Sequence, residues 1–416
     1  MTLVQTSDRP TANASVASAD GCAPRIAHIV TRYLRGGSER RICDIVRALP
    51  EAEHHLFLGE ESDVELAVEQ VRSDSVTVLP SLVRRPHPSH DAIALARLLR
   101  VLRRDRYDLV VTHQSKAGVL GRTASRMAGI RVVHCLSMPS FGPGYPSWQS
   151  RLFRLFERRL ERSTDAFVVV GSDVARRYRD IGVPGEKLHV VRSGVRLPAS
   201  PAPAYPEDGI RRRYGLPADS PLVLYLGSLE RRKNVLELPR VLAELVRSTP
   251  DHPPFLVIAG EGPLDSRIRI ELERAGVSDL AACLGFVDDP LSLVRIAACV
   301  VLLSTAEGVP QVLVQAAALG TPFVAYRVDG VGELLELGAD GVSVVPGDVD
   351  AATAATLAIL RRSGSPARPR IDLSSWQPER IAQGYRDVFH RVLTVHGTEP
   401  SRGEIDGAPS RARPKR

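Results

Sequence analysis

The chain is poor in cysteine, in aromatic residues and in long apolar runs, and each shortage removes a class of protein. Its five cysteines, Cys22, Cys43, Cys135, Cys283 and Cys299, are odd in number and widely spaced, with no C-x-x-C among them. That pattern argues against a disulfide framework and a cysteine zinc site, and it predicts a reducing compartment. Cys135 and Cys299 stand in apolar runs, where a thiol behaves as a small hydrophobe. Aromatics make up 5% of the residues and the formal charge is +7. The basic residues therefore have no aromatic stacking platform beside them, and nucleic acid is not an expected partner. No stretch reaches the roughly 18 uninterrupted apolar residues of a membrane-spanning helix. Residues 1–23, rich in Ser, Ala, Thr and Asp, lack the basic and apolar regions of a secretory signal. Together these absences predict a cytoplasmic protein.

What is present is the composition of a globular protein, 44% hydrophobic and 25% charged. A length of 416 residues is too great for one compact core and suits two domains. The basic balance suits anionic partners such as nucleotide diphosphates or anionic lipid surfaces. A solvated surface plus the basic tail ending Arg411-Ala412-Arg413-Pro414-Lys415-Arg416 accounts for the same charge.

From Arg25 onward, short β-branched runs alternate with amphipathic helical segments. Strands are expected at 26–30, 55–58, 76–79, 109–112, 131–136, 166–170 and 188–191, with helices between them at 38–49, 90–103, 116–128 and 147–162. Most strand candidates are near-continuous apolar runs, as in strands covered by helices on both faces. The Pro/Ala-dense segment 198–217 interrupts the pattern, which restarts with strands at 222–226, 255–259, 282–284, 299–304, 323–326 and 342–345. The predicted plan is α/β: two Rossmann-like, doubly wound parallel sheets facing a central cleft. Its parts are a disordered tail (1–23), a first domain (24–197), a linker (198–217), a second domain (218–370), a closing helix that crosses back toward the first domain (371–396), and a disordered basic tail (397–416). In such sheets ligands bind beyond the carboxyl ends of the strands.

Four groups of residues fall at those ends. Arg35-Gly36-Gly37-Ser38 follows the first strand; Gly36 and Gly37 allow close backbone approach and Ser38 can cap the next helix, whose N-terminus favours an anion. The segment lacks the full G-x-G-x-x-G spacing of a dinucleotide site. Gly227-Ser228-Leu229-Glu230-Arg231-Arg232-Lys233 follows the first strand of the second domain, where arginine forks and a lysine point charge suit a diphosphate. Gly260-Glu261-Gly262 and Gly285-Phe286 follow the next two strands, and either turn can pass backbone amides to a nucleotide or serve only as a turn. In Glu307-Gly308-Val309-Pro310, the glutamate sits in a loop at the cleft mouth and Pro310 opens a helix that stops at Gly320. Gln315 lies eight residues after Glu307, about two turns into a helix that begins near Pro310. A glutamine on that otherwise apolar helix is easier to explain with a ligand than without one.

Taken in order, and with Gly330-Val331-Gly332-Glu333, these segments resemble the family 4 retaining glycosyltransferases, which have the GT-B architecture. The resemblance runs from about Arg25 to about Leu360. It implies transfer of a sugar from a UDP- or GDP-linked donor to a saccharide or lipid-linked saccharide acceptor, in surface polysaccharide or glycolipid biosynthesis. Glu307 would face the donor sugar, as the first of the family's two glutamates; Gln315 stands at the second, where an amide can bond ribose hydroxyls without charge assistance. Arg231, Arg232 and Lys233 would hold the diphosphate, with Ser228 in place of the family's frequent arginine. Catalysis would rest on Glu307, Lys233 and Arg231, and donor binding on Gly36, Gly37, Gly227, Arg232, Gly262, Phe286, Gly308, Val309, Pro310 and Gln315. The family's His-Gly pair falls within residues 134–139, where Ser137 and Met138 stand instead; His113, His134 and Ser137 are then the candidates for sugar or acceptor contact. No metal or other cofactor is expected, and Asp348-Val349-Asp350 reads as a helix cap. A non-catalytic nucleotide-sugar-binding protein is the alternative, and a paired-carboxylate hydrolase is disfavoured by Gln315.

The segment 147–162 stays open between two readings. Phe153, Phe156 and Leu160 share one helical face, with Arg151, Arg154, Arg158, Arg159 and Arg162 around the others. The helix can dock on an anionic membrane as a peripheral anchor, or pack its apolar face on the core with its arginines in water.

Overall fold

The computed structural model describes residues 23–34, 37–71, 75–83, 85–195, 206–362 and 371–394. Thirteen strands are seen among them: β1 (Arg25–Val30), β2 (Glu53–Gly59), β3 (Ser75–Leu79), β4 (Leu109–His113), β5 (Arg131–Leu136), β6 (Ala166–Val169), β7 (Leu188–Val190), β8 (Leu222–Leu226), β9 (Phe255–Ala259), β10 (Ala281–Gly285), β11 (Cys299–Leu302), β12 (Phe323–Tyr326) and β13 (Gly341–Val344). They form two parallel sheets, β3-β2-β1-β4-β5-β6-β7 and β10-β9-β8-β11-β12-β13, so the expected pair of doubly wound sheets is what the chain adopts. The apolar runs become strands because helices cover both sheet faces: β1, β4, β6, β11 and β12 are buried along almost their whole length.

Each sheet changes winding direction once, between β1 and β4 in the first and between β8 and β11 in the second. Such switch points leave a crevice beyond the strand ends. The basic loop follows β8 and Glu307 follows β11, so the second crevice lies between them.

The segment 198–217 divides. Residues up to 205 lie outside the described set, as do the two tails, apart from Ala23. Glu207–Arg213 form a helix whose Ile210 joins the second core together with Leu216, and Arg211 Nη1 donates to the Pro217 and Ser220 carbonyls at 2.6 and 3.1 Å. At the other end, helix Pro378–Thr394 packs on the first sheet. Its Ile381, Tyr385, Val388, Phe389 and Val392 share a core cluster with Ile26, Val111 and Val133. Arg131 of β5 caps the last turn, its Nη1 donating to Val392 and Leu393 carbonyls.

Helix Ser147–Leu160 buries Phe153 and Glu157, while Phe156 is 36% exposed. Its buried face is therefore narrower than sequence periodicity suggests, and a carboxylate lies in it. Glu157 forms a fork with Arg122 of helix Ser115–Ala128, at 2.8 and 2.9 Å, with both side chains fully buried.

Candidate functional site

The turns beyond β8, β9 and β10 are sewn together by backbone. Gly227 N donates to Ala259 O at 3.0 Å, Leu229 N to Glu261 O at 2.8 Å, and Gly260 N to Gly285 O at 2.7 Å. A Cβ on Gly262 would lie 2.6 Å from Leu229 O, so the absence of a side chain there serves loop-on-loop packing. These turns form a platform, and the charges stand on it. Arg231–Lys233 make a short 3-10 turn, and Thr305 N and Oγ1 both donate to Arg232 O, at 2.9 and 3.1 Å. That contact ties the loop after β8 to the loop after β11.

Glu307 is 9% exposed. Lys233 Nζ donates to its Oε1 at 2.6 Å, and Arg232 Nη1 lies 3.2 Å from the same oxygen while donating to Ala306 O at 2.7 Å. Burial pushes the carboxyl upward, Lys233 and Arg232 more than offset it, and the group sits below the ordinary glutamate range. One carboxylate is thus held by two cations, with exposed Arg231 beside them. The cluster keeps surplus positive charge at the switch point, where an anionic group of a ligand can take over a cation.

The other expected residues divide. Phe286 ends the β10 turn, 51% exposed. Pro310 is the N-cap of helix Gln311–Leu319, one position earlier than the first helical residue, and Gly320 closes that helix at φ 68°. Gln315 therefore lies little more than one turn in, 8% exposed. Gly308 and Val309 face the first domain. A Cβ on Gly308 would lie 1.9 Å from Ser137 O and 2.7 Å from Val170 Cγ2, so glycine is what lets the Glu307 loop touch β5's end. Val309 packs against core residues of both halves. Ser137 lies at this seam, partly exposed. Gly37 opens the first helix, and Gly36 lies outside the described residues. Asp348 caps helix Val349–Leu360, accepting from Ala351 N at 2.9 Å.

His113 and His134 are corrections: both are buried in the first domain, at 3% and 0% exposure, and neither is open to a sugar or acceptor. His134 Nδ1 meets Thr112 Oγ1 at 2.8 Å, and its ring lies under helix Ser115–Ala128, where a Cβ on Gly118 would be 2.3 Å from Cε1. His113 ends a buried row: its Nε2 is 3.2 Å from His28 Nδ1, and His28 Nε2 is 3.0 Å from His54 Nδ1. His54 Nε2 faces Leu49 O at 2.9 Å and must donate there, which fixes each ring as a neutral donor to the next. Burial holds His113 down at about 3 and His134 at about 4, with Arg41 and Arg122 respectively adding to it.

Sequence reasoning gives no role to the residues that join the halves. Arg177 forks Asp329 at 2.7 and 2.8 Å, Arg192 meets Glu333 at 2.6 Å, and Gly330 N donates to Asp173 at 2.9 Å. Gln311 Nε2 lies 3.3 Å from Gly194 O, whose own N–H donates to Asp44. The one legible signal was Glu333, four residues after Asp329 in a glycine-rich turn.

Comparison with known proteins follows the same division. Residues 36–194 match the family described as Glycosyl transferase 4-like domain, and residues 206–371 match Glycosyl transferases group 1. A curated relative, the UDP-Gal:alpha-D-GlcNAc-diphosphoundecaprenol alpha-1,3-galactosyltransferase of Escherichia coli, is 25% identical over 78% of this chain and 85% of its own. The D-inositol 3-phosphate glycosyltransferase of Xylanimonas cellulosilytica is 30% identical over 57% of this chain and 60% of its own. Among solved structures, Anabaena HepE in complex with UDP superimposes with a TM-score of 0.65 at 19% identity, over 89% of this chain and all of that one, a likeness of fold.

Proposed function

Since the chain belongs to the group 1 glycosyltransferases of GT-B fold, we propose that it moves a hexosyl group from a nucleotide-sugar donor to a saccharide or lipid-linked saccharide acceptor, with retention at the anomeric carbon. The observation that carries this reading is buried, ionised Glu307 held by Lys233 and Arg232 at 2.6 and 3.2 Å, at the second sheet's switch point. The donor lies along the strand ends. The loops bearing Phe286 and Glu307 follow strands three places apart, a span of about 14 Å at sheet spacing, which suits a base at one end and a sugar at the other. The Escherichia coli relative is named for a UDP-sugar and HepE was solved with UDP, which favours UDP over GDP. The Escherichia coli relative's acceptor is a diphosphoundecaprenol-linked sugar, which favours a lipid-linked acceptor and a peripheral enzyme in surface polysaccharide or glycolipid synthesis.

In the transfer, the acceptor oxygen bonds to the anomeric carbon as the bond from that carbon to the diphosphate oxygen breaks. The acceptor proton passes to the departing diphosphate. The protein's part is positioning and charge: Lys233, Arg232 and Arg231 meet the charge that grows on the leaving group, and Glu307 faces the sugar. Three cations at this point supply the neutralisation that a divalent metal gives elsewhere, so transfer is proposed to need no metal.

Lys233→Ala tests the assignment. Arg232 remains beside Glu307, so the folding loss should be about 1–2 kcal/mol. Turnover should fall about 10²–10³-fold, in an assay of nucleotide release and sugar transfer run with excess chelator. A folded variant with near-normal transfer sinks the role of Lys233, and wild-type transfer abolished by the chelator sinks the metal-free reading.

A further inference from the structure

One surface of the first domain takes no part in the cleft. Helices Ser115–Ala128 and Ser147–Leu160 border a cavity of about 560 Å³ lined by Arg126, Leu155, Arg158, Arg159 and Arg162. None of these four arginines has an ion-pair partner among the described residues; the neighbouring Glu161 is engaged by Lys187 instead, at 2.8 Å. Four guanidinium groups around one opening, without a carboxylate, form a seat for an anion with several oxygens.

The seat continues into an apolar stripe. Trp148, Leu152, Leu155 and Phe156 are 64%, 40%, 53% and 36% exposed. At 100° per residue they fall within an arc of about 100°, whose centre is turned about 130° from buried Phe153 and Glu157. Exposed large hydrophobics in such a contiguous band mark an interaction site. A tryptophan and leucines beside arginines suit the boundary between headgroups and acyl chains.

We propose that this face docks on an anionic lipid bilayer, with a phospholipid phosphate in the arginine seat and the Trp148–Phe156 stripe among the outer acyl carbons. Charge complementarity selects this occupant. A nucleic acid would satisfy the arginines and leave the stripe in water. A symmetric second copy would set four arginines against four. The place in the fold gives the docking a use: Gly144, four residues before Trp148, abuts Ala306 of the Glu307 loop, where a Cβ would lie 2.7 Å from Ala306 Cβ. The apolar end of the helix is thus within about 14 Å of chain from the cleft floor, where a lipid-linked acceptor would be presented. For that use the proposal rests on the lipid-linked acceptor; the docking itself is read without turnover.

The test is sedimentation of the full chain with vesicles of equal parts phosphatidylglycerol and phosphatidylcholine, against phosphatidylcholine alone. Binding is expected to the anionic vesicles, with a blue shift of Trp148 emission against the constant background of Trp376, which is 2% exposed. Arg158→Gln/Arg159→Gln/Arg162→Gln should lose binding about five-fold per arginine, on the order of a hundred-fold together. Trp148→Ser/Leu155→Ser should lose it with every arginine in place. All five sites are on the surface, so unfolding midpoints and transfer to a soluble acceptor should stay as in the wild type. Equal binding to phosphatidylcholine, an unshifted emission, a triple variant that binds like the wild type, or tighter binding to an RNA oligonucleotide overturns the proposal. Loss of transfer in Lys233→Ala leaves vesicle binding intact, so the two readings fail separately.

Discussion

The two domains keep their ionisable groups in opposite places. The first buries them: His28, His54, His113, His134, Arg41, Arg122 and Glu157 are all at most 3% exposed, most of them within its helix-covered interior. The second has an almost wholly apolar core and holds Glu307, Lys233 and Arg232 at the mouth of its sheet. The difference teaches that a residue's type nominates it for chemistry, while its depth decides whether it can touch a ligand. The first domain's buried charges bear on how stable the fold is and over what pH, and the second domain's cluster stands where a ligand can reach it.

Acid should expose this contrast most strongly. The folded pKa of His113 is lowered to about 3 and that of His134 to about 4, and His28 is also well below the ordinary value. Between about pH 6.5 and those values the unfolded chain binds protons that the folded chain refuses, so stability falls as pH drops through this window and is level above it. The slope is about 1.4 kcal/mol per pH unit for each such histidine. Denaturant midpoints that stay flat from pH 7 to pH 5 would remove the buried-neutral account of the row. Next in size is the pair Arg122–Glu157. Burial pushes the Glu157 carboxyl up, but Arg122 and His134 together outweigh it and hold the group down at about 2. Arg122→Ala strands that carboxylate and should cost about 3–5 kcal/mol. Replacing both, as Arg122→Met/Glu157→Leu, should recover most of it. If the double variant is no better than the single, the cost comes from lost packing and not from an unpaired charge.

Lys233→Ala is the reverse case, with a loss of turnover that exceeds its loss of stability. That the second region was legible and the first was not has a physical cause. Parallel strands covered on both sides read as continuous apolar runs, and their carboxyl ends are where glycine and charge collect, so Arg231–Lys233 and Glu307 stand out. The same coverage erases the alternation that tells exposed from buried along a strand. His134 in β5 and His113 at the end of β4 therefore look like strand-end ligands, when one lies under Gly118 and the other closes a histidine row. Nothing in the sequence marks Glu157 for burial, because its partner Arg122 lies 35 residues away, on another helix. Gly308 and Val309 read as part of a ligand loop, and only the packed structure shows them touching Ser137 and Val170.

The smallest effect belongs to the seam, where the two regions meet. Arg177 and Asp329 form a two-pronged pair across it, and their side chains are 34% and 10% exposed. Burial raises the Asp329 carboxyl, and Arg177 offsets this only in part. A third of the arginine is in water, so its attraction is screened and the pair is worth about 1 kcal/mol or less. Arg177→Ala, Asp329→Ala and the double variant should therefore give a coupling of that size in thermal unfolding, and it should shrink as salt rises. Its consequence for function should be seen in KM and not in kcat, because the pair holds the domains together without touching the Glu307 cluster. A fall in kcat matching that of Lys233→Ala would show that the seam carries the chemistry as well, and the separation between a region that stabilises and a region that acts would not hold.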